Sequence, residues 1–331
     1  MVKYFVTGAT GFIGGHLAQK LIARGDQIIC LVRNPDRAGS LAQQGVTLVK
    51  GDVSDRAALH EGMRCVDGVY HMAALYKLGL KFKDQMLAAN VEGTRNTLEA
   101  AIEAGVPKIV YTSTVGVFGN THGKIVDETY RVEQHSLKSE YERTKWAAHY
   151  DVAVPLQQKG APLVNVQPGG VTGPGDTSPL NMIYDFYLNR MPVMMGPQAG
   201  LTVSHVDDIV DGHVLAMERG RSGESYILAG PSLTYKQMME MWQSICGISA
   251  PKIWLPGWTA SLSASLVGGL EQIFKLQMAL SSEALTTQAD YTFYATPDKA
   301  QRELGWQPRP IGQTFKEVLE YKIAQRKQSK A

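Results

Sequence analysis

The feature that most constrains this chain is a glycine-punctuated turn: the strand-like run 3–7 leads into Thr7-Gly8-Ala9-Thr10-Gly11-Phe12-Ile13-Gly14, and an amphipathic segment follows. Glycines spaced three apart between a strand and a helix let the backbone pass close to a pyrophosphate, which then rests on the helix N-terminus. The spacing departs from the G-x-G-x-x-G pattern, but the strand before it and the helix after it supply the required context. Gly8, Thr10, Gly11, Phe12 and Ile13 are therefore read as dinucleotide contacts.

Strand-like runs then alternate with helix-length amphipathic stretches, as in a parallel sheet wrapped by helices. Val2–Thr7, Gln27–Val32, Val46–Lys50, Gly68–His71, Lys108–Thr112 and Leu163–Gln167 read as strands, and Phe12–Arg24, Met86–Ala104 and Ser139–Gln158 as helices. The expected class is α/β, a doubly wound parallel sheet with a smaller, discontinuous C-terminal lobe. The sheet domain takes 1–171 with a return segment at about 203–230, and the lobe takes 172–202 and 231–331. Within it, Val203–Val214 reads as a return to the sheet, and the Met- and Tyr-rich stretch Thr177–Gly200 as a mobile apolar wall.

Lys and Arg number 33 against 31 Asp and Glu, a net charge of +2, so the chain has no electrostatic footprint for nucleic acid. Cys30, Cys65 and Cys246 are odd in number and lack C-x-x-C spacing. They read as buried, reduced thiols with neither a disulfide framework nor a metal site. No basic-then-apolar leader precedes the first strand, which makes the cytoplasm the expected location. No apolar run reaches membrane-spanning length; Leu255–Leu280, interrupted by Glu271 and Lys275, reads as an amphipathic segment over a substrate site, with membrane-surface contact as the lesser reading.

Tyr141 precedes Lys145 by four residues, which puts a phenol and an ammonium on one helix face. The positive charge is expected to draw the phenol below its ordinary pKa of about 10 and make it an acid/base near neutrality. One βα unit earlier, Tyr111-Thr112-Ser113-Thr114 places hydroxyls at a strand's carboxyl end, where they can polarise a carbonyl, and Thr112 is counted among the coenzyme contacts. The second strand ends in Val32-Arg33, with Arg37 shortly after, and a guanidinium there suits the 2′-phosphate of NADP rather than the free ribose hydroxyls of NAD. Asp52-Val53 follows the third strand, where a carboxylate can accept from the adenine amino group. Ala73 and Ala74 follow the fourth, small enough for backbone to approach the coenzyme ribose, while His71 reads as a packed histidine.

In order along the chain, Thr7–Gly14, Gly51-Asp52-Val53, His71–Ala74, Asn90-Val91-Glu92-Gly93-Thr94, Tyr111–Gly119, Tyr141/Lys145, Pro168–Pro174, His205-Val206-Asp207-Asp208 and Leu304-Gly305-Trp306-Gln307-Pro308 resemble an extended short-chain dehydrogenase/reductase. The resemblance covers the chain nearly end to end and implies a Rossmann domain. It also implies Tyr141 as acid/base, Lys145 on the nicotinamide ribose, Thr114 at the Ser/Thr position, Asn90 near the coenzyme, and Pro168 with Val171 beside the carboxamide. A two-fold homodimer through the two long helices is implied as well.

Two branches of that family compete. Nucleotide-sugar epimerases and dehydratases present Arg and Asn where this chain has Gln167, Gly170 and Leu201; the dihydroflavonol-reductase-like branch typically ends its second strand in Val-Arg, as here. The chain is also similar to hopanoid-associated proteins called sugar epimerases. The expectation is an NADPH-dependent reductase of a small, fairly hydrophobic ketone or aldehyde, the alternative a nucleotide-sugar epimerase or dehydratase on tightly held NAD. A coenzyme-sensing or scaffold protein without turnover is the third reading.

Overall fold

The computed structural model describes residues 1–77, 79–260, 262–263 and 291–328. Strands β1 (Lys3–Thr7), β2 (Gln27–Val32), β3 (Thr47–Lys50), β4 (Gly68–His71), β5 (Ile109–Thr112) and β6 (Leu163–Pro168) form in chain order. Further along come β7 (Gly170–Thr172), β8 (Val193–Met195), β9 (Gly200–His205), β10 (Ser225–Leu228), β11 (Ser232–Thr234), β12 (Ile253–Leu255) and β13 (Thr292–Phe293). Seven of them make the central sheet in the order β10-β6-β5-β4-β1-β2-β3, all pairs parallel. Near-continuous Val, Ile and Leu in β2 and β6 fit strands covered on both faces.

The order reverses between β1 and β4, where Thr7 pairs with His71 at the carboxyl ends. That reversal opens the crevice in which doubly wound sheets bind ligands. One face of the sheet packs with helices Phe12–Ala23 and Val206–Arg219 around Leu17, Val110 and Ile209, and the opposite face with Gly93–Glu103 and the helical stretch after Ser139, around Leu98, Ile109 and Val152. Both long helices on that second face contain a π-helical turn, Leu87–Glu92 in one and Ala148–Ala153 in the other. Such turns recur at functional sites.

A second core gathers Tyr184, Tyr187, Met194, Met238, Trp242 and Phe315. Tyr184 stacks on Trp242 with ring centroids 4.1 Å apart, so the middle of the expected apolar wall is packed interior: helix Pro179–Leu188 buries the tyrosines at its 3.6-residue period. The stretch 203–214 likewise differs from expectation. Val203–His205 completes β9, which pairs with β7, β11 and β13 outside the central sheet, and His205 then caps helix Val206–Arg219 by accepting from the Asp207 amide at 3.1 Å. The strand that rejoins the main sheet is β10.

Helix Asp298–Leu304 and Trp306 lie against helix Val206–Arg219, the indole donating to the Asp208 carbonyl at 2.7 Å. Of the three cysteines only Cys30 is buried; Cys65 is exposed, because it sits in a turn with φ of 54° rather than in an element. Most of Leu255–Leu280 lies outside the described residues. Among those described, no helix is long and apolar enough to cross a membrane.

Candidate active site

The glycine turn is built by contact as well as by conformation. Gly8 has φ of +78°, and a Cβ there would stand 2.7 Å from the Ala73 nitrogen; a Cβ on Gly14 would overlap the Gly8 carbonyl oxygen. Strand, turn and helix thus pack at backbone distance, with the Ala73 amide donating to the Thr7 hydroxyl at 3.2 Å. Gly11 caps helix Phe12–Ala23 with no side-chain hydrogen bond, so the first-turn amides of this 12-residue helix have no side-chain acceptor at the cap, and Thr10 and Gly11 before them are exposed. This cradle fits a dinucleotide pyrophosphate.

Beside it, the Arg33 side chain is exposed past the end of β2. The Asp52 carboxylate accepts from the Ser54 amide at 2.8 Å and the Ser54 hydroxyl at 2.5 Å. Those hydrogen bonds, with the Arg33 guanidinium nearby, hold it below the usual carboxylate range. Val53 packs on Gly93, where a Cβ would strike it, and its carbonyl accepts from Asn96 at 3.2 Å. Arg37 lies in a short 3-10 turn, Pro35–Arg37, and its side chain is outside those described.

The helix carrying Tyr141 starts at a capping box: the Ser139 hydroxyl accepts from the Glu142 amide and the Glu142 carboxylate accepts from the Ser139 amide, each at 3.1 Å. Lys145, one turn on, is almost wholly buried and donates to the Tyr111 hydroxyl at 3.0 Å and the Thr112 carbonyl at 2.8 Å. Burial brings its ammonium down to about 7. The Tyr141 phenol is pushed up to about 12, by burial first and by the neighbouring Glu142 carboxylate second. The expected lowering by Lys145 is therefore not realised in this arrangement, because the ammonium is turned to Tyr111 and the phenol is desolvated.

Thr114 has an extended backbone and its hydroxyl oxygen accepts from the Gly116 amide at 3.1 Å, which leaves the O–H to donate. Thr112 presents only its carbonyl here, since its hydroxyl is bonded to His213 on the opposite face of the sheet at 2.9 Å. Asn90 is fully buried and accepts from the Leu75 amide at 2.7 Å; it donates to the Leu75 carbonyl at 2.9 Å and to the Thr144 hydroxyl at 3.1 Å. It acts as a clamp between the loop after β4 and the Tyr141 helix. His71 is packed, as expected, between Thr7 at 2.8 Å and Thr94 at 3.0 Å. Pro168 ends β6, and Val171 is buried in the core beneath the sheet.

Two residues, Tyr76 and His16, were not read as site residues from sequence. The Tyr111 hydroxyl, read there as one that could polarise a carbonyl, instead holds Lys145. Tyr76 lies over Tyr141 with ring centroids 4.3 Å apart. His16 joins the coenzyme helix to the far lobe through Asp207 at 2.8 Å and the Pro174 carbonyl at 3.2 Å. With an acceptor on each ring nitrogen, and the Asp207 bond foremost, its pKa is raised. The available signal for Tyr76 was its place two residues after Ala74 on a loop leaving a strand's carboxyl end.

A Synechocystis sp. protein named dihydroflavonol 4-reductase is 31% identical over 96% of this chain and 94% of its own length. A Stigmatella aurantiaca protein named 4-hydroxy-2-methyl-3-oxo-4-farnesyl-3,4-dihydroquinoline-1-oxide ketoreductase is 29% identical over 96% of each. The crystal structure of gox2253 superposes with a TM-score of 0.81 at 33% identity, covering 97% of this chain and 98% of that one. The dTDP-glucose 4,6-dehydratase of Streptomyces venezuelae, solved with NAD, shares the fold with a TM-score of 0.77 at 21% identity, covering 99% and 98%. The model of the NAD dependent epimerase/dehydratase family matches residues 4–229, and the chain belongs to that family of extended short-chain dehydrogenase/reductase proteins.

Proposed function

We propose that this protein is an NADPH-dependent reductase acting on the carbonyl group of a small, fairly hydrophobic ketone or aldehyde. The observation that carries the choice within the family is the contact between Gly170 and Leu201. These are positions where the nucleotide-sugar branch presents polar groups to a diphosphate; here a Cβ on Gly170 would overlap the Leu201 side chain and stand 2.9 Å from the Thr202 carbonyl oxygen. Gln167, the third such position, is 1% exposed. Gly170 and Leu201 offer a substrate diphosphate no side-chain donor, so its charge would be desolvated there without compensation.

When bound, the coenzyme supplies the hydride. Tyr141 would donate the proton to the carbonyl oxygen, Thr114 would hydrogen-bond that oxygen, and Lys145 would hold the nicotinamide ribose. The preference for NADP rests on Arg33, exposed where the 2′-phosphate would lie and close enough to Asp52 to act on its charge. Leu87, 45% exposed on the helical stretch that begins at Lys83, suits the proposed homodimer. The deciding experiment is to titrate the protein with NADP and NAD, then follow NADPH consumption across a panel of ketones and aldehydes. Turnover of hydrophobic carbonyls that depends on Tyr141 supports the reading; micromolar binding of a nucleotide sugar overturns it.

A further inference from the structure

Among the described residues, nine large apolar side chains are exposed, and five of them, Met191, Ile253, Leu255, Trp258 and Leu262, fall in two stretches that the fold pairs. The pairing is the two-stranded ribbon of β8 and β12, whose parallel register sets Val193 beside Ile253, Met194 beside Trp254 and Met195 beside Leu255. Paired residues share a face, and faces alternate along a strand. Met194 and Trp254 pack in the core of Tyr184 and Trp242, so the other face carries Val193, Met195, Ile253 and Leu255, with Ile253 54% exposed. A ribbon covered on one side ordinarily turns polar residues to the other. Here the outward face is apolar throughout.

The apolar exposure continues past the ribbon. After Pro256 the chain enters a helical segment, where Trp258, 63% exposed, is followed four residues later by exposed Leu262, the spacing of one helix side. The charge these stretches carry has one sign. Arg190 and Lys252, both exposed, precede the paired starts of β8 and β12, and residues 186–206 and 241–270 contain no Asp or Glu. The nearest carboxylate before Arg190 in sequence, Asp185, is met by two cations, Lys322 at 2.8 Å and Arg326 at 3.1 Å.

Aliphatic side chains, an exposed indole and a cationic border match the layers of a bilayer surface. The indole rests at headgroup depth, the aliphatic groups reach the acyl boundary, and Lys and Arg meet anionic headgroups. Two copies of this face would instead bring like charges together. We propose that the β8–β12 ribbon and the helical segment after it dock on the surface of a bilayer that contains anionic phospholipid. Strands of three residues hold the contact to the interface, far short of a membrane-spanning strand.

The test is co-sedimentation of the full chain with vesicles of phosphatidylcholine alone and of phosphatidylcholine mixed in equal parts with phosphatidylglycerol. The wild type binds the anionic vesicles more strongly by about tenfold or more, and the advantage shrinks as salt rises. Arg190→Gln combined with Lys252→Gln removes most of that preference, and Trp258→Ser combined with Leu262→Ser lowers binding to both vesicle types by about tenfold or more. Lipid brominated in its acyl chains quenches wild-type tryptophan emission, and Trp258→Tyr, which keeps an aromatic anchor, binds but loses most of the quenching. Melting temperature and light-scattering mass stay at wild-type values in every variant. Absence of binding to the anionic vesicles, equal binding to both kinds, binding that survives the double replacement of Trp258 and Leu262, or quenching that survives Trp258→Tyr overturns the proposal. A lower mass in the Trp258 and Leu262 variant overturns it too, since the face would then join copies of this chain.

Discussion

The Lys145 ammonium lies 3.0 Å from the Tyr111 hydroxyl, on the strand behind the phenol, Tyr141, that shares its helix. Burial, rather than this pairing, is the leading cause of both titration shifts at the site. Lys145 is buried to 1% exposure among neutral acceptors and falls to about 7, while Tyr141, desolvated and next to Glu142, rises to about 12. An ammonium that ionises near neutrality is poised to respond to whatever enters beside it.

Replacing Tyr141 by Phe removes the proposed proton donor and little else. Turnover is expected to fall by about a hundredfold or more with coenzyme affinity unchanged. Lys145→Ala is expected to lower both, since it also strips a donor from the Tyr111 and Thr112 oxygens. Steady-state kinetics alongside fluorescence titration of coenzyme separate the two outcomes, and a Tyr141→Phe enzyme that retains near-normal turnover would end the mechanism.

Coenzyme choice is tested at Arg33. Arg33→Asp is expected to weaken NADP binding by about 2 kcal/mol, roughly thirtyfold, through loss of a charge-assisted phosphate contact, with NAD comparatively unaffected. Equal losses for both coenzymes, or a wild type that prefers NAD, would refute the assignment of the β2 end.

At the floor of the substrate crevice, UDP-, GDP- and dTDP-sugars are expected to bind more weakly than millimolar in calorimetric titration. Gly170→Asn is expected to cost about 1–3 kcal/mol in chemical denaturation, since its Cβ meets Leu201 and the Thr202 carbonyl, and to confer no nucleotide-sugar binding. A Gly170→Asn variant with wild-type stability would mean that the packing there is looser than the geometry states.

Acid sensitivity follows from three buried histidines. Burial lowers His71 and His149 to about 3 and His213 to about 4, from 6.5. Between those values the unfolded chain binds more protons than the folded one, so stability is full above 6.5 and falls as pH drops toward 4. His16, raised by its bond to Asp207, has the opposite sign: its contribution is present below 6.5 and fades as pH rises through the raised value. Urea midpoints measured from pH 7.5 to 4.5 should show the first trend, with a shallower slope in His213→Leu; an unchanged slope in that variant would disprove the assignment.

For assembly, light scattering at micromolar concentration is expected to report twice the chain mass, with Leu87→Lys shifting it toward the monomer. A wild-type mass equal to one chain would contradict the dimer.

The sequence by itself determined the sheet, the glycine turn and the step between Tyr141 and Lys145, because each depends on short-range pattern. Strand period, glycine spacing and the four-residue step from Tyr141 to Lys145 are local quantities, and Gly8, Gly14 and His71 stand where such reasoning puts them. What only the tertiary structure decided depends on partners far apart in the chain. Asn90 clamps Leu75 and Thr144, Tyr76 covers Tyr141, Lys145 finds Tyr111, and Gly170 meets Leu201. The Met- and Tyr-rich stretch shows the same limit: helical period marks one face of 179–188 as apolar, but whether that face meets a ligand or Trp242 is settled by what packs against it. Burial then fixed the protonation tendencies, since desolvation is a property of the assembled surroundings and outweighed the charge pairing that spacing alone had suggested.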